Sequence, residues 1–321
     1  MTASPPSPTS PSPTPPRSPA ALPAWLGGVA LLLPPGIWLL LLLVLPTLFI
    51  VELSFVPACR PADCLAPYGP ENYVRLLFHT VDGKLSFDPI YLRVILQSFG
   101  LAAATTALCL LLGFPVAYWL AISSPARWRN FLLLAFVLPL WTSSLLRSYA
   151  WVTILRSTGV LNSLLDSLGL LGPLESLGYP ESGILNRPIA VLIGMTYSYL
   201  PYIVLILYSS LEKLDRRLLE AAADLGAYPR VAFWQITVPQ TAPGILAGSL
   251  LVFITGLGDF VDPELLGGSS SMTLARLIYN QFLKTRNWGF GASLSMILIL
   301  AVSISVALLI KYGDSDATTS A

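Results

Sequence analysis

Charged residues are scarce in this chain. Only 11% of its 321 positions are Asp, Glu, Lys or Arg, whereas 55% are hydrophobic, and soluble proteins carry about 25% charged residues. This deficit excludes a soluble globular protein, because too few charges remain to cover the surface. The formal net charge of +1 gives no electrostatic case for binding nucleic acid. We therefore expect no nucleic-acid partner.

Histidine and cysteine are also rare, which excludes several kinds of site. The single histidine, His79, has no companion ligands, so the sequence predicts no metal site. Cys109 lies in an apolar run and is interpreted as a packing residue. Cys59 and Cys64 lie in a polar loop, where a disulfide would form only if that loop faces an oxidising compartment. That pairing stays open.

Catalytic and nucleotide-binding motifs are missing as well. The chain has no Gly-x-x-x-x-Gly-Lys-Ser/Thr loop to hold ATP and no Ser/His/Asp set. We therefore expect no catalytic residue and no cofactor bound by this chain, and we do not expect it to be an enzyme on its own.

Long apolar runs dominate what is present. A helix needs roughly 20 consecutive apolar residues to cross the hydrocarbon core of a bilayer. The runs in this chain predict an all-α, polytopic membrane protein with six transmembrane helices. The predicted spans are residues 31–55, 91–122, 131–155, 189–211, 245–260 and 291–310.

The two ends of the chain differ in composition from this apolar body. Residues 1–23 are rich in Pro, Ser and Thr, which predicts a disordered tail with polyproline II character. Residues 24–311 are predicted to form the transmembrane domain, and residues 312–321 a short C-terminal tail. Basic residues are spread over both faces, so charge alone leaves the orientation open. Only the short connector with Arg127 and Arg129 favours cytoplasmic termini.

The segment 212–243, between the fourth and fifth predicted spans, is the most informative part of the sequence. An apolar stripe recurs there at helical spacing, formed by Leu214, Leu218, Ala222 and Leu225. Gly226 is placed to end this helix with a positive φ, Pro229 to begin a second short helix and Pro239 to end it. The pattern alone suits either docking into a groove of another protein or an interfacial connector without a partner.

A motif in this segment resembles the EAA motif of the permeases of ABC importers. It reads Glu220-Ala221-Ala222, three residues, Gly226, nine residues, and Ile236-Thr237-Val238-Pro239. Only Val238 departs from the usual Ile-x-Leu-Pro ending. The resemblance implies the type I ABC-importer permease fold.

It also implies that segment 212–243, from here the coupling segment, lies in a groove of a cytoplasmic ABC ATPase dimer. Both termini would then be cytoplasmic. Glu220 would pair with polar groups of the groove, Gly226 would supply the bend and apolar residues would dock. The implied contact residues are Glu220, Ala221, Ala222, Gly226, Phe233, Ile236 and Pro239.

Four further stretches resemble the spermidine/putrescine type of these permeases. They are Tyr68–Arg75, Arg147–Trp151, Tyr199–Pro201 and Gly258–Gly268. The resemblance implies a multi-pass bacterial inner-membrane subunit that works in the lipid bilayer with a second permease, identical or different, and a periplasmic substrate-binding protein. ATP and Mg would be held by the ATPase.

The resemblance leaves the cargo open, because related permeases carry iron(III), phosphonates or opines. A stand-alone secondary transporter is the alternative from another class, although no mid-membrane charge relay supports it.

Acidic and aromatic residues near the spans are candidates for a substrate path. Asp259 lies roughly 21 Å beyond Ile245 along a helix, and buried charges in a membrane are costly. The acids therefore either attract a polycation or mark a helix end braced by a base such as Arg147. The aromatics either contact an amine by cation–π attraction or belong to an interfacial belt. The candidate path residues are Asp259, Asp262, Glu264, Tyr149, Trp151 and Tyr199.

Overall fold

The computed structural model of the chain describes residues 24–57, 68–81, 84–87, 89–170 and 183–313. It divides into one unit that ends at Phe49 and a second unit that begins at Ile50. The predicted tail at residues 1–23 lies outside the described residues, and so do Cys59, Cys64 and residues 314–321. The predictions made for them stay predictions.

Long apolar helices build the described part of the chain. Five of them are long and apolar enough to cross a membrane, and there are six spans if a bent pair of helices is counted as one. The prediction of an all-α polytopic membrane protein is confirmed. In chain order, the first to sixth spans are Leu32–Ser54, Ile90–Ser123, Arg127–Trp141 with Ser144–Leu155, Pro188–Leu211, Pro229–Gly258 and Trp288–Ala307.

Several spans contain a local change of helix type. The first span has a π-turn at Leu40–Val44, and the second ends in another at Trp119–Ser123. The sixth continues as a helix to Gly313.

Between the spans lie short helices at Glu71–Val74, Val160–Ser167, Arg216–Asp224, Val261–Leu266 and Leu274–Tyr279, the last followed by a π-turn at Asn280–Lys284.

A small antiparallel hairpin adds an element that an all-α prediction does not contain. Strands β1 (Phe78–Val81) and β2 (Lys84–Phe87) pair with Phe78 opposite Phe87. Their two rings meet edge to face, with centroids 6.0 Å apart. This cross-strand aromatic pair fixes the register of the hairpin.

The second, fourth and fifth spans form the central core. Gly113 lets the second and fourth spans approach closely, because a Cβ there would lie 2.8 Å from Cγ2 of Ile203. The fully or nearly buried residues of this core are Cys109, Ala117, Leu120, Ala121, Ile203, Val204, Leu207, Tyr208, Leu211 and Val252. The interpretation of Cys109 as a packing residue is confirmed.

The third span, predicted for residues 131–155, consists of two helices with a sharp bend between them. A helix ends in a 3₁₀ turn at Leu138–Trp141, and the next begins at Ser144, bent by 92° from the first. Two side chains donate hydrogen bonds to the backbone at this break. The carbonyl oxygen of Pro139 accepts hydrogen bonds from Thr142 Oγ1 at 2.7 Å and from Arg147 Nη1 at 2.8 Å. They add to the backbone bond of 3.3 Å that the same oxygen accepts from the N–H of Thr142, and so they stabilise the break.

The prediction that Pro239 ends the second short helix of the coupling segment is wrong. The helix that begins at Pro229 passes through a π-turn at Phe233–Thr237 and continues to Gly258. In the π-turn the N–H of Val238 donates to the carbonyl of Phe233, so the hydrogen-bond register shifts just before Pro239. A proline, which has no N–H, is accommodated at such a shift.

Candidate functional site

The coupling helix, Arg216–Asp224, is defined by interactions within its own segment. At its start the side chain of Asp215 accepts a bond of 3.0 Å from a backbone N–H of the first turn. At its end Gly226 has φ +82°, and the N–H groups of Gly226 and of the next residue donate to the carbonyls of Ala223 and Ala222. This is a Schellman ending. The predicted helix and its glycine stop are confirmed.

The coupling helix exposes nearly all of its surface. None of its residues is buried. Glu220 and Ala221 are exposed and Ala222 is half-buried. Just beyond the helix, Leu225 is 89% exposed, and Trp234 is 67% exposed. An amphipathic helix with apolar side chains in the open is typical of a segment that docks on another protein.

The second part of the coupling segment packs against the second span. The half-buried ring of Phe233 meets Phe114 edge to face at 5.4 Å and Tyr118 at 5.7 Å. Ile236 is also half-buried, whereas Pro239 is exposed. The predicted contact residues therefore do not share one surface. Phe233 anchors the segment to the membrane helices, while Glu220 and Ala221 remain accessible.

A polar cavity of about 200 Å³ lies where the broken third span, the fourth span and the end of the fifth span meet. We refer to it as the acidic cavity, because two carboxylates face it. Its lining residues are Ser144, Arg147, Ser148, Ser198, Tyr199, Tyr202, Asp259, Val261 and Asp262.

Asp259 and Asp262 are held by different partners. Asp259 caps the short helix Val261–Leu266, accepting the N–H of Val261 at 2.9 Å, and accepts the Tyr199 hydroxyl at 3.0 Å. Asp262 is only 3% exposed. It accepts a short hydrogen bond from Ser148 and a longer one of 3.5 Å from Ser198. Sequence reasoning missed both serines, since a lone hydroxyl within an apolar span carries no pattern.

Burial raises the pKa of both carboxyl groups. For Asp262 the loss of solvent is the largest cause, and the charge of Asp259 raises the pKa further. The hydrogen bond from Ser148 and the nearby Arg147 guanidinium act in the opposite direction. For Asp259, the bond from Tyr199 opposes burial without cancelling it. A cation entering the cavity would relieve this unfavourable burial of negative charge.

Glu264 lies outside the lining of the acidic cavity and is already paired. Its carboxylate accepts Arg276 Nε at 2.5 Å and Lys284 Nζ at 2.6 Å. Burial raises the pKa of Glu264, but the bonds to Lys284 and Arg276 outweigh it and hold the pKa below its usual value. The bases that pair directly with Glu264 are therefore Arg276 and Lys284, whereas Arg147 donates through Nη1 to Pro139 and acts on Asp262 only through its charge.

Only one of the three candidate aromatic residues faces the acidic cavity. Tyr199 lines it, whereas Tyr149 and Trp151 are not among its lining residues. Tyr149 is 56% exposed, and Trp151 packs edge to face on Tyr197 with centroids 5.5 Å apart. The structure thus brings Asp259, Asp262 and Tyr199 together and leaves Glu264, Tyr149 and Trp151 elsewhere.

Solved structures of bacterial ABC transporters share this fold. A chain of the transporter that imports the acidic polysaccharide alginate matches with a TM-score of 0.63 at 19% identity, over 92% of this chain and 96% of that one. A chain of the methionine transporter MetNI matches with a TM-score of 0.53 at 14% identity, over 72% and 99%. The class is therefore that of polytopic membrane subunits with the type I ABC-importer fold, as expected.

Residues 111–313 match the family of binding-protein-dependent transport system inner membrane components, and the chain belongs to that family. Among its relatives is the spermidine/putrescine transport system permease protein PotB. The Haemophilus influenzae protein is 38% identical over 81% of this chain and 84% of its own length. The Escherichia coli K12 protein is 40% identical over 81% and 88%. The inner membrane ABC transporter permease protein YdcU of Escherichia coli K12 is 32% identical over 72% and 75%.

Proposed function

We propose that this chain is the membrane-spanning permease subunit of a binding-protein-dependent ABC importer for polyamines. The observation that carries the proposal is the exposed coupling helix with its capped start and its glycine stop at φ +82°. Such a helix offers a well-defined surface to which an ATPase subunit can bind. The relatives named for spermidine and putrescine transport support the choice of cargo.

The coupling segment would lie in a groove of a cytoplasmic ABC ATPase dimer. Glu220, exposed on the coupling helix, would pair with polar groups of the groove, and Ala221 would let the two surfaces approach closely. Leu225 and Trp234 would add apolar contact. ATP and Mg would be bound by the ATPase and not by this chain, and both termini would be cytoplasmic.

The acidic cavity would receive one ammonium group of the cargo at a time. Asp259 and Asp262 supply negative charge, and Tyr199 and Tyr202 supply aromatic faces to which an amine is attracted. Arg147 supplies a resident positive charge, which would keep the carboxylates from trapping the cargo. Glu264, Tyr149 and Trp151 lie outside this cavity, and their part in the substrate path stays a prediction.

Transport would require other subunits. A second permease, identical or different, would complete the translocation path, and a periplasmic binding protein would deliver the cargo. The same machinery with another cargo, such as iron(III), a phosphonate or an opine, is the alternative, because fold does not fix cargo. The acidic cavity favours a cationic cargo over a phosphonate.

The proposal is tested by ATP hydrolysis in the reconstituted complex with its binding protein, with and without spermidine. The native chain is compared with Glu220→Ala and with Asp224→Ala, a matched control that removes an exposed acid one turn along the same helix. We expect spermidine to stimulate hydrolysis in the native and Asp224→Ala complexes, and Glu220→Ala to lose most of the stimulation while the subunits still assemble.

Two outcomes would contradict parts of the proposal. If Glu220→Ala responds like the native chain, the coupling assignment fails. If spermidine leaves the rate of ATP hydrolysis in the native complex unchanged while another solute stimulates it, the cargo assignment fails and the coupling assignment stands.

A further inference from the structure

The coupling helix has little packing of its own to hold it against the membrane helices. It buries none of its residues. Its chain connections run to the fourth span on one side and, through Gly226, to the fifth span on the other. At the first of these connections the Tyr208 hydroxyl donates to Glu212 at 2.9 Å. The second span packs against both of these spans in the central core, but it has no direct chain connection to the coupling helix.

Arg216 links the coupling helix directly to the second span. Its Nη2 donates to the carbonyl oxygen of Ala121 at 2.8 Å. Ala121 is 4% exposed and lies in the π-turn that ends the second span. The last carbonyls of a helix have no partner within it and carry the negative end of the helix dipole, so a guanidinium suits this position. In the part of the chain that the structure describes, no other side chain of the coupling helix bonds to a span.

The far end of this bond is well anchored. Ala121 belongs to the buried central core, together with Leu207 of the fourth span and Val252 of the fifth. A displacement of the coupling helix would reach those two spans through the chain itself. It would reach the second span through their shared core, through the ring of Phe233, which packs on Phe114, and directly from the coupling helix through Arg216.

We infer that Arg216 is a positioning residue that ties the coupling helix to the second span, so that the second, fourth and fifth spans move together when an ATPase displaces that helix. The inference rests on the proposed function. It assigns Arg216 no contact with the cargo or with ATP.

The test compares Arg216→Gln with Arg217→Gln in the full reconstituted complex. Arg217 is a matched control, because it is the next residue, is also exposed and loses the same charge, yet its side chain bonds to no other helix in the described residues. The readouts are cargo taken up per ATP hydrolysed, stimulation of hydrolysis by the loaded binding protein, subunit co-purification and the thermal unfolding midpoint.

We expect Arg216→Gln to lower uptake per ATP by about tenfold, which corresponds to one lost charge-assisted hydrogen bond. Assembly and the unfolding midpoint should stay within error of native, and Arg217→Gln should transport normally. Arg216→Lys keeps a donor and a charge, and should restore part of the coupling. A purely structural role would lower the unfolding midpoint and the assembled fraction instead.

Equal behaviour of Arg216→Gln and Arg217→Gln would overturn the inference, whether both are normal or both are impaired. That result is separate from failure of the proposed function, which would show as Glu220→Ala behaving like the native chain. A loss of coupling in Arg216→Gln that comes with loss of assembly would also count against it.

Discussion

The coupling helix and the acidic cavity both place charged residues beside membrane spans, yet they are built in opposite ways. The two ends of the coupling helix are fixed by bonds within its own segment, at the cap Asp215 and the glycine stop Gly226, and the helix remains exposed. The acidic cavity is assembled from three separate spans. Its central carboxylate, on Asp262, is 3% exposed.

This difference separates an exposed surface, for which we propose a partner, from a cavity whose carboxylates are already hydrogen-bonded within the chain. Exposed acids on the coupling helix cost almost nothing in the free subunit, because water solvates them. The buried carboxylates of the cavity are costly, because their hydrogen bonds replace hydration only in part. Changes in the cavity should therefore affect folding, and changes in the coupling helix should affect mainly coupling.

The largest effect is expected for Gly194→Val, which tests how tightly the cavity wall is packed. A Cβ at this position would overlap the fully buried side chain of Leu266 and would lie 3.5 Å from Cγ of Asp262. We expect a loss of about 3 kcal/mol in the free energy of unfolding, measured in detergent micelles. Gly100→Val is the control, since a Cβ there meets nothing within 4 Å. Equal losses in both variants would contradict the prediction.

The pH dependence of stability should reveal the buried carboxyl of Asp262. Burial raises its pKa to about 7, above the value of about 3.9 in an unfolded chain. The protonated form is therefore favoured by folding, and its contribution is complete below pH 4 and lost as the pH rises through 7. Between pH 5 and pH 7 we expect a loss of about 2 kcal/mol.

The control for this dependence is Asp262→Asn, which keeps an acceptor for the Ser148 hydroxyl and cannot ionise. The free energy of unfolding of this variant should change less with pH over the same range. A native chain that gains stability between pH 5 and pH 7 relative to Asp262→Asn would show that the sign is wrong.

A smaller effect is expected for Gly226→Ala in the coupling helix. The φ of +82° disfavours any residue with a Cβ by about 1 kcal/mol, even though open space surrounds the position. Gly258→Ala is the control, since it also meets nothing within 4 Å and lacks the positive φ. We expect the 226 variant to lose coupling, measured as cargo-stimulated ATP hydrolysis, and the 258 variant to keep it.

The smallest effect on stability is expected for Glu220→Ala. The side chain is exposed, so its removal should change the free energy of unfolding by less than about 0.5 kcal/mol. Chemical unfolding of the isolated subunit measures this. A loss as large as that of Gly194→Val would break the contrast between the two regions, because the coupling helix would then be part of the packed core.

Sequence reasoning was accurate where the signal is local. Helical spacing and the glycine stop at Gly226 were predicted correctly, because a helix and its caps depend on residues a few positions apart. It failed at Pro239, and it gave no indication of the break within the third span. The π-turn before Pro239 and the hydrogen bonds to Pro139 have no signature in hydrophobic periodicity.

The sequence by itself determined the membrane class, the apolar spans and the two ends of the coupling helix, since apolar run length and local caps act without the rest of the fold. Only the tertiary structure decided which partner each charged side chain contacts. It joined Asp262 to Ser148, Glu264 to Arg276 and Arg216 to Ala121, across separations of up to 114 residues. Such contacts depend on how spans of nearly uniform apolar composition pack, and composition does not encode that packing.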